Sequence, residues 1–174
     1  LHCSSAASDV YKRQDQHFGV RNDNEHFINH YKKFYGKVVI PFIKASGIKE
    51  VISLGDTFDR RRYINFHSLD EAKEMWFDQL TKLGCNHTML IGNHDIYYKN
   101  TLKVNAPHEI LGEYNFDVID KPTTKSYDGT DILLLPWICD DNKSEVFEAV
   151  QRSKAPVCMG CLLYTSPSPR DRTT

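Results

Sequence analysis

Two short apolar runs constrain the possible folds of this chain most. Each run is followed directly by a glycine and then by polar residues. Residues 51–54 and 89–91 lead into the motifs GDTFDRR and GNHDIYY. Such β-branched and aliphatic runs are typical of buried strands in a parallel sheet. Gly55 and Gly92 allow the chain to turn sharply after each strand. Because open α/β sheets carry their chemistry just beyond the carboxyl ends of the strands, the sequence predicts an α/β fold with a functional site at that edge.

Both ends of the chain contain the translation of one DNA sequence. Residues 9–14, DVYKRQ, can be encoded by GAT GTG TAT AAG AGA CAG, and the opposite strand, read from its second base, encodes CLLYTS, residues 161–166. This DNA resembles the transposase adapter used in sequencing libraries. Residues 1–14 and 161–174 are therefore predicted to be adapter-derived, not structural, and packed against nothing. Residues 15–160 are predicted to be a partial domain, truncated at both ends.

The charge balance excludes a polycation that binds nucleic acid through its net charge. Of the 22 Lys and Arg and the 23 Asp and Glu residues, four basic and two acidic ones lie in the predicted adapter ends, so residues 15–160 carry about −3. Affinity for nucleic acid would then come from metal ions, a partner, or a local patch such as Arg60, Arg61 and Arg62. The three cysteines of this segment form no CxxC motif, which suits a reducing cytoplasm.

Two amphipathic helices are predicted between the strands. Apolar residues recur at helical spacing over residues 25–45, and Pro41 is expected to kink this helix. Its predicted buried face consists of Phe27, Tyr31, Phe34, Val38 and Phe42. Ser68, with Glu71 three residues later, is expected to cap a second helix that ends near Leu83. The predicted buried face of the second helix consists of Leu69, Ala72, Trp76 and Leu80.

The polar residues that follow the predicted strands can form a two-metal site. Asp15 and His17 can direct a carboxylate and an imidazole at one ion. Asp56 can bridge to a second ion, to which Asn93 adds an amide oxygen. Two ions about 3.5–4 Å apart bind a phosphate and activate a water for in-line attack. Because these donors are nitrogen and oxygen without thiolate, they suit Mn²⁺, Fe or Zn better than Ca²⁺.

Neighbouring residues have predicted roles other than metal binding. His94 can stabilise the phosphoryl group or protonate the leaving oxygen. The carboxylate of Asp59 is expected to hold that imidazole in its useful tautomer. Arg61 is a candidate contact to the substrate, although arginine runs more often form a solvated face. Tyr97 and Tyr98 are explained more readily by packing than by base stacking.

The motifs DxH, GDxxD and GNHD, in this order, resemble those of the calcineurin-like metallophosphoesterases, whose fold is a β-sandwich flanked by helices. GDTFDRR, GNHDIYYKNTLKVNA and LLPWICDDN extend the resemblance to the SbcD-type nuclease subunit, and most closely to the recombination endonuclease subunits of tailed phages. The resemblance implies two divalent ions, with Mn²⁺ as the expected metal. It implies metal ligands at Asp15, His17, Asp56 and Asn93, with His94 catalytic.

The resemblance also implies partners. The family binds DNA and an SbcC-type ABC ATPase, and it acts in the cytoplasm of a bacterium or a phage-infected cell, away from membranes. Helices in this region pair two SbcD-type subunits, so the helix near residues 68–83 is predicted to form a homodimer. Trp76, Phe77 and Leu80 provide its predicted apolar contact surface.

Three functions remain open on this sequence. The first is an exonuclease or endonuclease subunit of an SbcCD-type recombination and repair complex, which hydrolyses phosphodiester bonds with a metal-activated water. The second is a phosphatase or small-molecule phosphodiesterase on the same scaffold, because the metal motifs do not choose the substrate. The third is a non-catalytic subunit that binds DNA ends or the ATPase. The family continues after Gly160 with three histidine ligands that this sequence does not contain, so the chain as written is predicted to be inactive.

Overall fold

The computed structural model describes residues 10–13 and 16–161, which form an α/β fold with two stacked sheets, as the sequence predicts. The first sheet is parallel, in the order β1–β2–β3–β4. Its strands are β1 Val10–Arg13, β2 Glu50–Ser53, β3 Asn86–Leu90 and β4 Asp117–Ile119. The second sheet contains β5 Thr123–Tyr127, β6 Thr130–Leu135 and β7 Val157–Gly160. In that sheet β6 pairs antiparallel with β5 and parallel with β7.

Helical segments connect and flank these strands. They are α1 Val20–Asp23, α2 Glu25–Phe34, α3 Ile40–Ala45, α4 Phe66–Ala72, α5 Asp78–Lys82, α6 Ala106–Ile110 and α7 Lys143–Arg152. Two π-helical turns, Tyr35–Val39 and Lys73–Phe77, join α2 to α3 and α4 to α5. None of the helices within the described residues is long and apolar enough to cross a membrane.

The two faces of the parallel sheet bury different side chains. Val51 and Met89 point into a core formed with α2 to α5, while Ile52 and Leu90 point toward the second sheet. Leu133 and Leu135 of β6 face the opposite way and pack against α7. This alternation follows from the two-residue period of a strand. The result is four layers: helices, parallel sheet, mixed sheet and α7.

The helix predicted over residues 25–45 is present, but its buried face differs from the predicted one. Phe27, Val38 and Phe42 are exposed by 41%, 53% and 44%. The buried residues of this helix are Ile28, Tyr35, Val39 and Ile43, with Tyr31 and Phe34 partly buried beside them. The fully buried residues recur every four or seven positions, and each follows a residue of the predicted face by one position. Helical spacing alone therefore could not choose between two adjacent apolar stripes.

Pro41 follows a π-helical turn at the place where the sequence predicts a kink. Proline has no N–H to donate to the carbonyl four residues earlier, and its ring collides with that carbonyl in a regular α-helix. Here the N–H of Ile40 donates to the oxygen of Tyr35, five residues back. The wider π turn accommodates the proline without ending the helix.

The second predicted helix begins at a different cap and buries the surface predicted for dimerisation. Asn65, rather than Ser68, caps it, because the side chain of Asn65 accepts a hydrogen bond from the N–H of His67 at 2.8 Å. Trp76, Phe77 and Leu80 are each 0% exposed. The prediction that these three residues form a contact surface between subunits is therefore wrong. They complete the core between the helices and the parallel sheet.

The prediction that the first 14 residues pack against nothing is wrong for the residues of strand β1. Val10–Arg13 pairs in parallel with Glu50–Ser53 along the edge of β2. Ladder hydrogen bonds join backbone groups, so an extended segment of almost any composition can satisfy an open strand edge. At the other end, Cys161 is buried. The adapter origin of both ends stays a prediction.

His87 lies inside the core on the helix side of the parallel sheet. Its ring is stacked on Phe77, and it contacts Phe116 edge-on, with 4.6 Å between the ring centroids. Its Nε2 lies 2.8 Å from Ser53 Oγ, and its Nδ1 has no hydrogen-bond partner among the described residues. Burial away from water disfavours the charged imidazolium and lowers the pKa of His87 to about 3. The folded chain therefore holds a neutral histidine here.

This burial predicts that acid destabilises the fold. The folded-state pKa lies below the unfolded one, so the unfolded chain binds the extra proton and stability falls as the pH drops below about 6.5. Between about pH 7 and about pH 5, His87 should cost about 2 kcal/mol of the unfolding free energy. Urea unfolding at both pH values measures this loss. His87→Phe should remove it, while His30→Gln, which changes an exposed histidine, should keep it. An equal loss in the His87→Phe variant would contradict the assignment.

Candidate metal centre

The candidate centre lies where three segments leave the carboxyl ends of the parallel strands. These are residues 16–18 after β1, 54–59 after β2 and 91–95 after β3. Backbone hydrogen bonds continue the ladder between the first two, because the N–H of His17 donates to Asp56 O and that of Phe18 donates to Thr57 O, both at 2.9 Å. His17 is thereby placed beside Asp56. The predicted ligand Asp15 lies outside the described residues.

Two glycines allow the second and third segments to touch. Gly55 has a φ of 101°, which favours glycine, and a Cβ on it would lie 2.7 Å from the Cα of Gly92. A Cβ on Gly92 would lie 2.1 Å from the backbone N of Asp56. Both contacts would be with backbone atoms, which cannot move away from a new Cβ as the end of a flexible side chain can. Any other residue at either position would separate the two segments.

Asp95 holds the same two segments together, a role that the sequence analysis missed. Its buried Oδ1 accepts hydrogen bonds from the N–H of Thr57 at 2.9 Å and of Phe58 at 3.4 Å. Its Oδ2 accepts one from the N–H of Gly92 at 2.9 Å. Burial raises the pKa of Asp95 to about 6, although these hydrogen bonds act in the opposite direction. The sequence does contain a signal for this role, because an aspartate directly follows GNH in the motif GNHD.

The carboxylate of Asp56 is buried and faces residues of the third segment. Its Oδ1 accepts a hydrogen bond from the backbone N–H of His94 at 2.8 Å. One atom of the Asn93 amide group lies 2.8 Å and 3.0 Å from the two carboxylate oxygens. If this atom is nitrogen, it donates to the carboxylate. If it is oxygen, three oxygens crowd together and a cation between them would remove the repulsion.

The His94 ring is oriented by the main chain of Asp59 rather than by its carboxylate. Nδ1 of His94 lies 2.6 Å from the carbonyl oxygen of Asp59. A carbonyl can only accept, so Nδ1 carries the proton and Nε2 of the neutral ring keeps its lone pair. The contact predicted for the Asp59 carboxylate is therefore made by a backbone atom. The carboxylate of Asp59 instead faces His17, with 3.7 Å between Oδ1 of Asp59 and Nδ1 of His17.

Three side chains offer ligand atoms to one point in space. One atom each from His17, Asp59 and His94 lies within 4.8 Å of the other two. Nδ1 of His17 is buried and has no hydrogen-bond partner within the part of the chain that the structure describes. A buried nitrogen without a partner and adjacent carboxylates are a donor set that fits a divalent cation. Asp59, predicted to act on His94, therefore lies where its carboxylate could also hold a metal ion.

The remaining predicted site residue, Arg61, lines a cleft next to this centre. The cleft also contains Arg60, Arg62 and Tyr97. The structure thus brings His17, Asp56, Asn93 and His94 together as the sequence predicts, with Asp59 in a different contact and Arg61 at the side.

Comparisons with known proteins add one informative relative. No protein-family model matches the chain. The chain is 38% identical over 147 residues to exonuclease subunit 1 of enterobacteria phage T4. This alignment covers 84% of the chain and 43% of that protein, so the chain spans less than half the length of its curated relative.

Among solved structures, the protein of unknown function AQ665 from Aquifex aeolicus is similar with a TM-score of 0.47 and 16% sequence identity. That similarity covers 87% of this chain and 88% of the other, and it is too low to establish a shared fold. The relation of this chain to a phage exonuclease subunit rests on the 38% sequence identity alone.

Proposed function

We propose that this chain is the catalytic part of a metal-dependent phosphodiesterase that cleaves DNA, as an exonuclease or endonuclease subunit of an SbcCD-type recombination and repair complex. The observation that carries the proposal is the convergence of imidazole, carboxylate and amide groups at the carboxyl ends of parallel strands. The 38% identity to a phage exonuclease subunit supports DNA as the substrate.

The metal ligands in this proposal are Asp15, His17, Asp56 and Asn93, with Asp59 as an additional candidate. Two bound divalent ions, with Mn²⁺ expected, supply Lewis acid stabilisation of the phosphate and a water nucleophile of lowered pKa. The buried nitrogen of His17, which has no hydrogen-bond partner among the described residues, supports this assignment, and the amide group of Asn93 lies 2.8 Å from the carboxylate of Asp56.

His94 acts on the phosphoryl group in this proposal. Its Nδ1 proton is held by the carbonyl of Asp59, so the ring presents Nε2 in a defined orientation. When Nε2 is protonated, it donates a hydrogen bond to a phosphoryl oxygen or its proton to the leaving oxygen. The backbone N–H of His94 meanwhile orients the carboxylate of Asp56 through the 2.8 Å hydrogen bond.

The arginine cleft favours a polymeric substrate over the alternatives. Arg61 and Tyr97 line a cleft beside the centre, where a cationic and an aromatic side chain can bind a phosphate and a base of a longer substrate. A non-catalytic subunit has no use for an oriented His94. We further propose an SbcC-type ABC ATPase as the protein partner.

A homodimer remains part of the proposal, with a corrected surface. Phe27, Val38 and Phe42 are apolar, exposed and arranged along one stripe of the helix from α2 to α3. A two-fold axis would bring this stripe against its own copy and bury it from water.

The first prediction separates catalysis from metal binding in the full-length protein that carries this domain. His94→Ala should lower turnover by about 10²- to 10⁴-fold and keep both ions, because His94 acts on the phosphoryl group. Asp56→Ala should lose metal and activity together. Metal content by mass spectrometry, alongside hydrolysis of a DNA phosphodiester with Mn²⁺, distinguishes the two. His30→Ala is the matched control on an exposed histidine, and a fully active His94→Ala protein would contradict the assigned role.

The second prediction concerns which atom of Asp59 matters for each role. Asp59→Asn keeps the backbone carbonyl, so the orientation of His94 should survive. If the carboxylate binds metal or supports a ligand, metal affinity should fall by about 10- to 100-fold. Titration with Mn²⁺ should then restore the activity of Asp59→Asn but not that of His94→Ala. Failure of high Mn²⁺ to restore Asp59→Asn would place the carboxylate in catalysis instead.

The third prediction tests the dimer surface. Val38→Glu places a charge in the centre of the exposed stripe and should convert the dimer to a monomer, because the charge would be buried without a partner. Light scattering at micromolar concentration measures the mass, and Phe147→Glu on α7 is the control for an exposed apolar residue elsewhere. A monomeric wild-type protein, or a Val38→Glu protein that stays dimeric, would refute this surface.

A further inference from the structure

A cleft of about 260 Å³ opens directly beside the candidate metal centre. Arg60 and Asp95 line it, and they are the next residues along the chain after Asp59 and His94. Because the main chain of Asp59 contacts the ring of His94 at 2.6 Å, the cleft and the centre share one wall. A ligand that extends from the centre along this wall enters the cleft.

The cleft presents aromatic rings to solvent. Tyr63, Phe66 and Tyr97 are exposed by 63%, 87% and 39%, and all three line it. Guanidinium groups lie over two of these rings, with 4.9 Å from Arg60 to the centroid of Tyr63 and 5.4 Å from Arg62 to that of Tyr97. Flat rings that are held in place by cations and left in water offer a stacking surface for another planar group.

The arginines of the cleft leave positive charge available. Arg60 is paired with Asp23 at 3.1 Å. For Arg61 and Arg62, no carboxylate of the described residues lies within ion-pair distance. Of the two acidic residues in the lining, Asp95 is occupied by backbone N–H groups, which leaves Glu109. The side of the cleft nearest the centre therefore favours an anion next to a planar group.

We propose that this cleft binds one unstacked nucleobase of a DNA strand together with its phosphate. The base stacks on Tyr97, and the phosphate binds Arg61 and Arg62. The inference rests on the proposed nuclease function, because it names the part of the substrate that lies beside the bond to be cleaved. A single strand or a frayed end fits this cleft, because bases within a duplex do not expose their faces.

The test measures binding without cleavage, in EDTA, by the fluorescence anisotropy of a labelled oligothymidylate. An abasic strand of equal length carries the same phosphates without bases. The wild-type chain should prefer the strand with bases, and Tyr97→Ala should weaken that binding by about 5- to 100-fold. Tyr97→Phe keeps a ring for stacking and should retain the preference. Arg61→Gln should weaken binding of both strands alike and reduce the salt dependence by about one phosphate contact.

Phe147→Ala is the matched control, since Phe147 is 52% exposed on α7. Equal affinity of the wild-type chain for both strands, or a Tyr97→Ala chain that binds like Phe147→Ala, would overturn the inference. So would loss of binding to a protein partner in Tyr97→Ala with oligonucleotide affinity unchanged, which would identify a protein-docking surface. Cleavage is measured separately, with Mn²⁺, in the full-length protein that carries this domain, and base-dependent binding in EDTA without cleavage there would refute the proposed function alone. Cleavage without any base preference would refute the inference alone.

Discussion

The buried carboxylate of Asp95 is the interaction on which the rest of the centre depends. It accepts backbone N–H groups from both the Asp56 segment and the Asn93 segment, while Gly55 and Gly92 let these segments approach to contact. Burying a carboxylate is costly, as its raised pKa indicates, and the hydrogen bonds offset part of that cost. Together with the pairing of β2 and β3 and the hydrogen bond from His94 to Asp56, this connection fixes the separation of polar groups that come from two different strands.

The chemistry of the centre follows from that fixed separation. Because the two segments are joined, the N–H of His94 reaches the carboxylate of Asp56, and its ring reaches the carbonyl of Asp59. Backbone atoms thus set both the tautomer and the direction of the imidazole. Orientation by rigid main chain costs less side-chain entropy than orientation by a second flexible side chain.

The layers on either side of the parallel sheet support this edge. Large aromatic and aliphatic side chains of α2 to α5 fill one face, and the mixed sheet covers the other. Full burial removes Trp76 and Phe77 from contact with any partner, whereas Phe27, Val38 and Phe42 are exposed on the helix from α2 to α3.

Residue patterns along the chain were enough to predict the α/β class, the strands before GDTFDRR and GNHDIYY, and the convergence of His17, Asp56, Asn93 and His94 at one edge. Those features are local or follow from one rule, since the carboxyl ends of neighbouring parallel strands share an edge. The packing of the folded chain was needed to show which of two apolar stripes on the first helix is buried, which atom of Asp59 contacts His94, and that Asp95 joins the segments. Each of these depends on how separate elements pack against one another, and residue spacing along one element carries no information about its neighbours.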